Sequence, residues 1–316
     1  MKLMSALAAA TLTVPALLFA TGPAMAAAGA AAAARPVCTS SSHPALAAKI
    51  SRAIQAVRRH RVSFVAVEVK DPGAGLVCRL DARSHFDSAS VVKVTILGAL
   101  LRKAQKEHRS LTGTERALAR AMITRSDNNA ASALWADTGR TWLQRFLHRA
   151  GMTHTVLGPG GAWGLTRITA DDETRLLWLL LTANRVLDPA SRSYALTLMA
   201  DVIPAQRWGV PAGAPRSLVA HVKNGWLPLA PFGWRINSIG GFTGHGTRYS
   251  IVVLTQDNPS MAYGIGTVEA IARAVNRDLN PGAIARVPLS VIPPSQQAPD
   301  GSVITAPDVA ARAGHA

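Results

Sequence analysis

Residues 87–97 read DSASVVKVTIL, an apolar run in which a serine, Ser90, stands three positions before a lysine, Lys93. The chain is sparing with lysine: of its 34 Lys and Arg residues, seven are lysine. Only Lys93 among them follows a serine at that spacing. On a helix, residues three apart share a face, so the spacing puts the amine within reach of the hydroxyl. A desolvated lysine can lose its proton, whereas a guanidinium effectively cannot. An arginine at 93 would hold a charge but could not serve as a base. Ser90 also heads the run, where backbone N–H groups face developing negative charge.

The surrounding periodicities place this helix in an α+β chain. PALAAKISRAIQAVRRH puts Leu46, Ile50, Ile54 and Val57 on one helical face. VSFVAVEV (62–69) and GLVCRLD (75–81) flank the turn signal KDPGA, which predicts a hairpin. An apolar helix runs from about Ser90 to Lys106. Residues 110–200 read as largely helical, interrupted by the glycine-rich GPGGAWG (158–164), expected to be a flexible loop. Strand character returns in SLVAHVKNG, WRINSIGGF and YSIVVLTQD, and a final helix covers TVEAIARAVNRDL. Helices from the two ends of the chain can then cover one antiparallel sheet, with an inserted helical lobe and a cleft between them.

Both termini lie outside that core. Lys2, an Ala-diluted apolar stretch and TGPAMA predict a signal peptide over 1–26, cleaved near Ala26, and hence a secreted or extracytoplasmic protein. An Ala-rich linker follows (27–42), then the domain itself (43–280) and a Pro/Ala-rich tail (281–316) expected to be disordered. No later segment is apolar enough to span a bilayer. Cys38 and Cys78 are the only cysteines, and an even pair in an oxidising exterior predicts a disulfide. The net charge of +16 suits an acidic partner such as an anionic cell-wall polymer. Nucleic acid is not expected: the arginines are scattered, aromatic residues make up 5% of the chain, and no binding motif accompanies them. The nine histidines are dispersed, so neither a metal site nor any other cofactor is expected. A monomer is expected.

Two further short motifs follow Ser90 and Lys93. SDN (Ser126, Asp127, Asn128) falls in the helical lobe and also reads as a helix N-cap before NAASALW. KNG (Lys223, Asn224, Gly225) falls at a strand edge before Trp226 and also reads as a strand ending in a turn. Together with Ser90-x-x-Lys93, in this order and on these elements, they resemble the signature of β-lactamases and penicillin-binding proteins. Over about residues 45 to 280 the chain resembles a class A β-lactamase-like serine hydrolase. The resemblance implies Ser90 as the acylated nucleophile, Lys93 as its base and Ser126 as the proton relay to the leaving nitrogen. It implies that Asn128 holds the substrate's side-chain amide and that Lys223, helped by Asn224, attracts its carboxylate. The oxyanion hole would be the N–H groups of Ser90 and Trp226, beside Gly225.

Three departures qualify the activity expected. Asn224 stands where the family has Thr or Ser, and an amide cannot pass on a proton. The stretch between Ser90 and Ser126 is short, which implies a more open cleft. HTVLGPGGAWGLTRIT (154–169) holds no carboxylate, whereas class A enzymes place there the Glu that activates the deacylating water. Asp171, Asp172 and Glu173 come just after it, but TADD from Thr169 reads as a helix start with acids in its first turn. Weak β-lactamase activity is therefore expected. The alternatives are a D,D-peptidase acting on cell-wall peptides and a non-catalytic wall-binding module.

Overall fold

The computed structural model describes residues 36–285. The predicted signal peptide, most of the linker and most of the tail fall outside those residues. The elements are β1 (Cys38–Ser40), α1 (Pro44–Arg59), β2 (Phe64–Asp71), β3 (Leu76–Leu80), β4 (Phe86–Asp87), α2 (Val92–Lys106), α3 (Gly113–Thr124) and α4 (Asn128–Thr138). They continue with α5 (Arg140–Ala150), β5 (Arg167–Ile168), α6 (Ala170–Leu181), α7 (Pro189–Ala200), β6 (Val219–Pro228), β7 (Trp234–Gly244), β8 (Thr247–Asn258) and α8 (Met261–Leu279). Among the described residues no helix is long and apolar enough to cross a membrane.

Six strands form one antiparallel sheet in the order β1-β3-β2-β8-β7-β6. Alternation along β2 divides its side chains between two cores. Val65, Val67 and Val69 join the core under α1 and α8, while Ala66 joins that of the helical lobe. Ile50 and Ile54 are fully buried beneath α1, as the helical periodicity predicts. The sheet is thus a middle layer, with the terminal helices on one face and the lobe on the other. This is the α+β architecture read from the sequence.

Three details differ from the sequence reading. The last residues of the predicted linker are the edge strand β1, with Cys38 directly opposite Cys78, and a disulfide joins the two. Three residues are too few to show a periodicity. The helix α8 begins at Met261 after the N-cap Ser260, six residues before the predicted start, because Tyr263, Gly264 and Ile265 hid the helical pattern. Lastly, β4 and β5 form a separate two-stranded ribbon beneath the Ser90 turn. Its strands of two residues carry no signal of their own.

Buried carboxyls give the fold a pH dependence of definite sign. Glu68 lies on the lobe-facing side of β2, 1% exposed, and burial pushes its carboxyl up to about 7 against the pull of Arg79 at 3.5 Å. Glu173, without a hydrogen-bond partner among the described residues, is pushed well above the carboxylate range by burial and by Asp172. The folded protein holds these protons more tightly than the unfolded chain does. Their contribution is therefore complete below about pH 4.5 and, for Glu68, is lost as pH rises towards about 7. Glu115 acts oppositely: its hydrogen bonds to Arg109 lower it to about 2, so its contribution is lost only as pH falls from 4.5 towards 2. Urea melts of Glu68→Gln between pH 4.5 and 7.5 should show a flatter profile and a gain of about 1–3 kcal/mol at the upper end. A slope equal to the wild type's would remove Glu68 as the cause.

Candidate active site

The turn carrying Ser90 is held from three sides. Ser90 lies in a single 3-10 turn, Ala89–Val91, immediately before α2. Ala89 has φ +47, a left-handed conformation that costs a non-glycine residue roughly 1–3 kcal/mol and persists only where the surroundings enforce it. Those surroundings are specific. Ser88 N donates to Thr166 O at 2.8 Å, and Ser88 Oγ donates to Gly164 O at 3.3 Å. From β7, Asn237 Nδ2 donates to Asp87 O at 2.8 Å and to Ser88 O at 3.2 Å. Buried Arg235 is paired with Asp87 at 3.2 Å. Neither Asn237 nor Arg235 was singled out from sequence, since the strand around them offers no motif.

Lys93, one turn further along, is completely buried. Its Nζ donates to Ser126 O at 2.8 Å, Ser126 Oγ at 3.1 Å and Asn128 Oδ1 at 2.7 Å. Lys223 Nζ reaches the same hydroxyl from β6, at 2.9 Å. Ser126 Oγ thus accepts from both amines. A hydroxyl oxygen has two lone pairs and one proton, so both lone pairs are occupied and the proton is left to point elsewhere. Ser126 itself is fixed in a left-handed conformation, φ +55, in the corner between α3 and α4. Asp127 is the N-cap of α4, its Oδ1 accepting from Ala130 N at 2.7 Å. Capping and site assembly are therefore both present in SDN: the middle residue starts the helix while its neighbours meet Lys93. The hydroxyl of Ser90, by contrast, makes no hydrogen bond among the described residues, and the residue is 4% exposed.

Gly225 explains how β6 approaches this turn. A Cβ on it would lie 2.8 Å from both Ser88 O and Ser90 N and 2.9 Å from Val91 N, all backbone atoms. The strand edge therefore lies directly against the amide of Ser90, with the amide of Trp226 the next along. Gly225→Ala should displace that edge, at a cost of about 1–3 kcal/mol in stability. Chemical denaturation measures that cost, and an unchanged midpoint would show that the strand tolerates the methyl group.

Asn224 corrects one expectation. Its Nδ2 donates to Gln206 O at 2.8 Å and Trp208 O at 2.9 Å, and the residue is 1% exposed. Alternation along β6 turns its side chain to the face opposite Lys223. With both amide protons engaged it has no donor for a substrate carboxylate, and its role is to tie β6 to the segment before it.

The glycine-rich stretch 158–164 is also not the flexible loop expected. Arg140 donates to Gly158 O at 2.7 Å and to Leu157 O at 3.2 Å, and Gly158 N donates to Thr166 Oγ1 at 3.1 Å. The loop delivers Trp163, fully buried, with its ring centre 4.7 Å from Lys93 Nζ and its Nε1 donating to Ser132 Oγ at 3.1 Å. An indole face thus stands beside the buried amine. The signal available in sequence was an aromatic residue flanked by glycines, GGAWG, which carries no chemistry on its face. Thr169 caps α6, accepting from Asp172 N at 3.2 Å. Asp172 is held by His154 N and Thr155 Oγ1, and Asp171 by Arg175 at 3.1 Å, which agrees with their reading as first-turn acids.

Solved structures share this arrangement of elements. A class A β-lactamase from Bacteroides cellulosilyticus is 18% identical, with a TM-score of 0.65 over 73% of this chain and 97% of its own. A β-lactamase from Xanthomonas campestris is 20% identical, with a TM-score of 0.64 over 74% and 99%. PBP-A is 18% identical, with a TM-score of 0.63 over 73% and 95%. No curated protein matches the chain by sequence. The Beta-lactamase enzyme family model matches residues 113–279, more than half of the chain. With the fold and the sequence match in agreement, this chain belongs to the β-lactamase enzyme family and has the fold of the class A β-lactamases.

Proposed function

We propose that this protein is an exported serine hydrolase that forms an acyl-enzyme at Ser90 with β-lactams or related peptidyl amides and releases it slowly. The observation that carries the reading is the buried cluster in which Ser126 Oγ accepts from both Lys93 and Lys223. Lys93 removes the Ser90 proton as the oxygen attacks the carbonyl, and the N–H groups of Ser90 and Trp226 receive the developing oxyanion. The proton then passes through Ser126 to the leaving nitrogen. A hydroxyl whose lone pairs are both engaged by amines has its own proton free to give and a donor ready to replace it. Lys223 serves as the cation for the substrate carboxylate, and Asn128 for its amide.

Slow release follows from what stands beside Lys93. An acyl-serine is hydrolysed by a water that is positioned and deprotonated as it attacks. In this protein an indole occupies one side of the amine, and the loop that carries it has no carboxylate. The same feature favours a D,D-peptidase over an efficient resistance enzyme as the second reading, since such an enzyme is acylated and then inhibited by β-lactams. A fluorescent penicillin should label the wild-type protein through denaturing electrophoresis and leave Ser90→Ala unlabelled. Reversible binding lost on denaturation would favour a non-catalytic wall-binding module instead.

A further inference from the structure

Four arginines gather away from the cleft, at an open groove of about 810 Å³ between the C-terminal half of α5 and the far end of α2. Arg145, His148 and Arg149 line it from α5, Arg102 from α2, and Arg185 from the connection after α6. Arg102 is nine residues beyond Lys93, roughly 14 Å along the helix axis, so the groove is not an extension of the acylation site.

Two features mark this group: its members share one groove that no carboxylate lines, and two of them are spaced to repel. Some exposed guanidiniums elsewhere pair with carboxylates, Arg58 with Asp81, Arg120 with Asp201 and Arg273 with Glu269, while Arg52, Arg59 and Arg83 are exposed singly with no ion pair among the described residues. Among the described residues no carboxylate lies within ion-pair distance of Arg102, Arg145, Arg149 or Arg185, and none lines the groove. The helix itself, RTWLQRFLHRA, contains no acid. In addition, Arg145 and Arg149 are four apart on one helix face, a like-charge spacing that is unfavourable until an anion neutralises it.

We infer that this groove binds a polyanion whose charges are backbone phosphates, of the sugar-phosphate or polyol-phosphate kind. A guanidinium presents a planar fork of donors that fits phosphate oxygens in pairs. Several forks along an open groove suit a repeating ligand better than a single ion. The only aromatic ring among the lining side chains is the small imidazole of His148, and the Trp142 ring is already covered by the Arg145 guanidinium at 5.6 Å, so the platform for stacking bases is slight and single-stranded nucleic acid is the poorer fit. The inference does not depend on the chemistry at Ser90.

Linear inorganic polyphosphate is the probe, titrated into the whole protein by calorimetry. Binding should weaken about 50-fold between roughly 50 and 200 mM salt if three or four phosphates are neutralised. The double variant Arg145→Ser/Arg149→Ser should lose at least tenfold in affinity, and Arg185→Ser, which lies outside any helix, a smaller part of it. Removing the same charge at the exposed residues Arg52 and Arg83 should change affinity less than twofold, and labelling at Ser90 should be unaltered in every variant. Equal losses from both double variants would overturn the proposal in favour of diffuse charge attraction. No measurable binding at low salt, or tighter binding of poly(dT) than of polyphosphate, would overturn it as well.

Discussion

Lys93→Arg should acylate with penicillins about 10²–10⁴-fold more slowly than the wild type, although the charge at the position is kept. The variant separates two roles that a lysine can combine. An electrostatic role needs only a cation among Ser126 O, Ser126 Oγ and Asn128 Oδ1, and an arginine supplies one. A base must be able to exist without its proton at the moment Ser90 attacks, which a guanidinium cannot do at any working pH. The expected loss corresponds to roughly 3–5 kcal/mol of barrier. Because Lys93 is completely buried, a larger side chain can also strain the lobe. The rate must therefore be read beside the denaturation midpoint, with Lys93→Met as a near-isosteric second variant that also lacks a base. If both fold and both are slow, proton abstraction is the step lost. Near-normal acylation by the arginine variant would reduce Lys93 to an electrostatic part.

Steady-state penicillin hydrolysis should show a burst of about one equivalent followed by a slow phase. Acylation and deacylation make different demands of the site. The first needs a nucleophile and a base, the parts proposed for Ser90 and Lys93, whereas the second must also recruit a water and activate it. Losing a positioned general base costs about 10²–10⁴-fold in rate, and the slow phase should be depressed on that scale. Trp163 is the structural reason: it is fully buried, its Nε1 is held by Ser132, and its face meets the amine that could otherwise act twice. The acids that follow are committed elsewhere, Asp171 to Arg175, and Asp172 to Thr155 and the His154 amide. Glu173 is buried and holds its proton well above the usual carboxylate range. Linear turnover at about 10² s⁻¹ or more would contradict this and make one of those three acids the overlooked base.

The sequence was most informative where a residue's chemistry coincided with its periodicity. The α1 face, the β2–β3 hairpin and the three long strands follow from apolar spacing, and that spacing reflects the burial seen at Ile50, Ile54, Val65 and Val67. Ser126, Asn128, Lys93 and Lys223, expected to meet from three separate motifs, do form one cluster. What escaped the sequence depends on orientation or on long-range contact. Whether Asn224 faces the cleft or the layer behind it turns on strand register, which the KNG spelling does not contain. Trp163 reaches Lys93 only because Arg140 ties down a loop whose glycines look mobile when read alone. Asn237 and Arg235 act by gripping a turn about 150 positions earlier, a relation that no local pattern encodes.

Ser90 should carry a long-lived acyl group when the protein meets a penicillin, and intact mass spectrometry reads this out. The purified protein is mixed with excess penicillin G, sampled over seconds to hours, and weighed intact, with the adduct then located by peptide mapping. The mass should rise by one penicillin, the adduct should lie on the peptide containing Ser90 and decay slowly, and Ser90→Ala should gain nothing. An adduct on another residue, an adduct retained by Ser90→Ala, or no adduct at any time would contradict this.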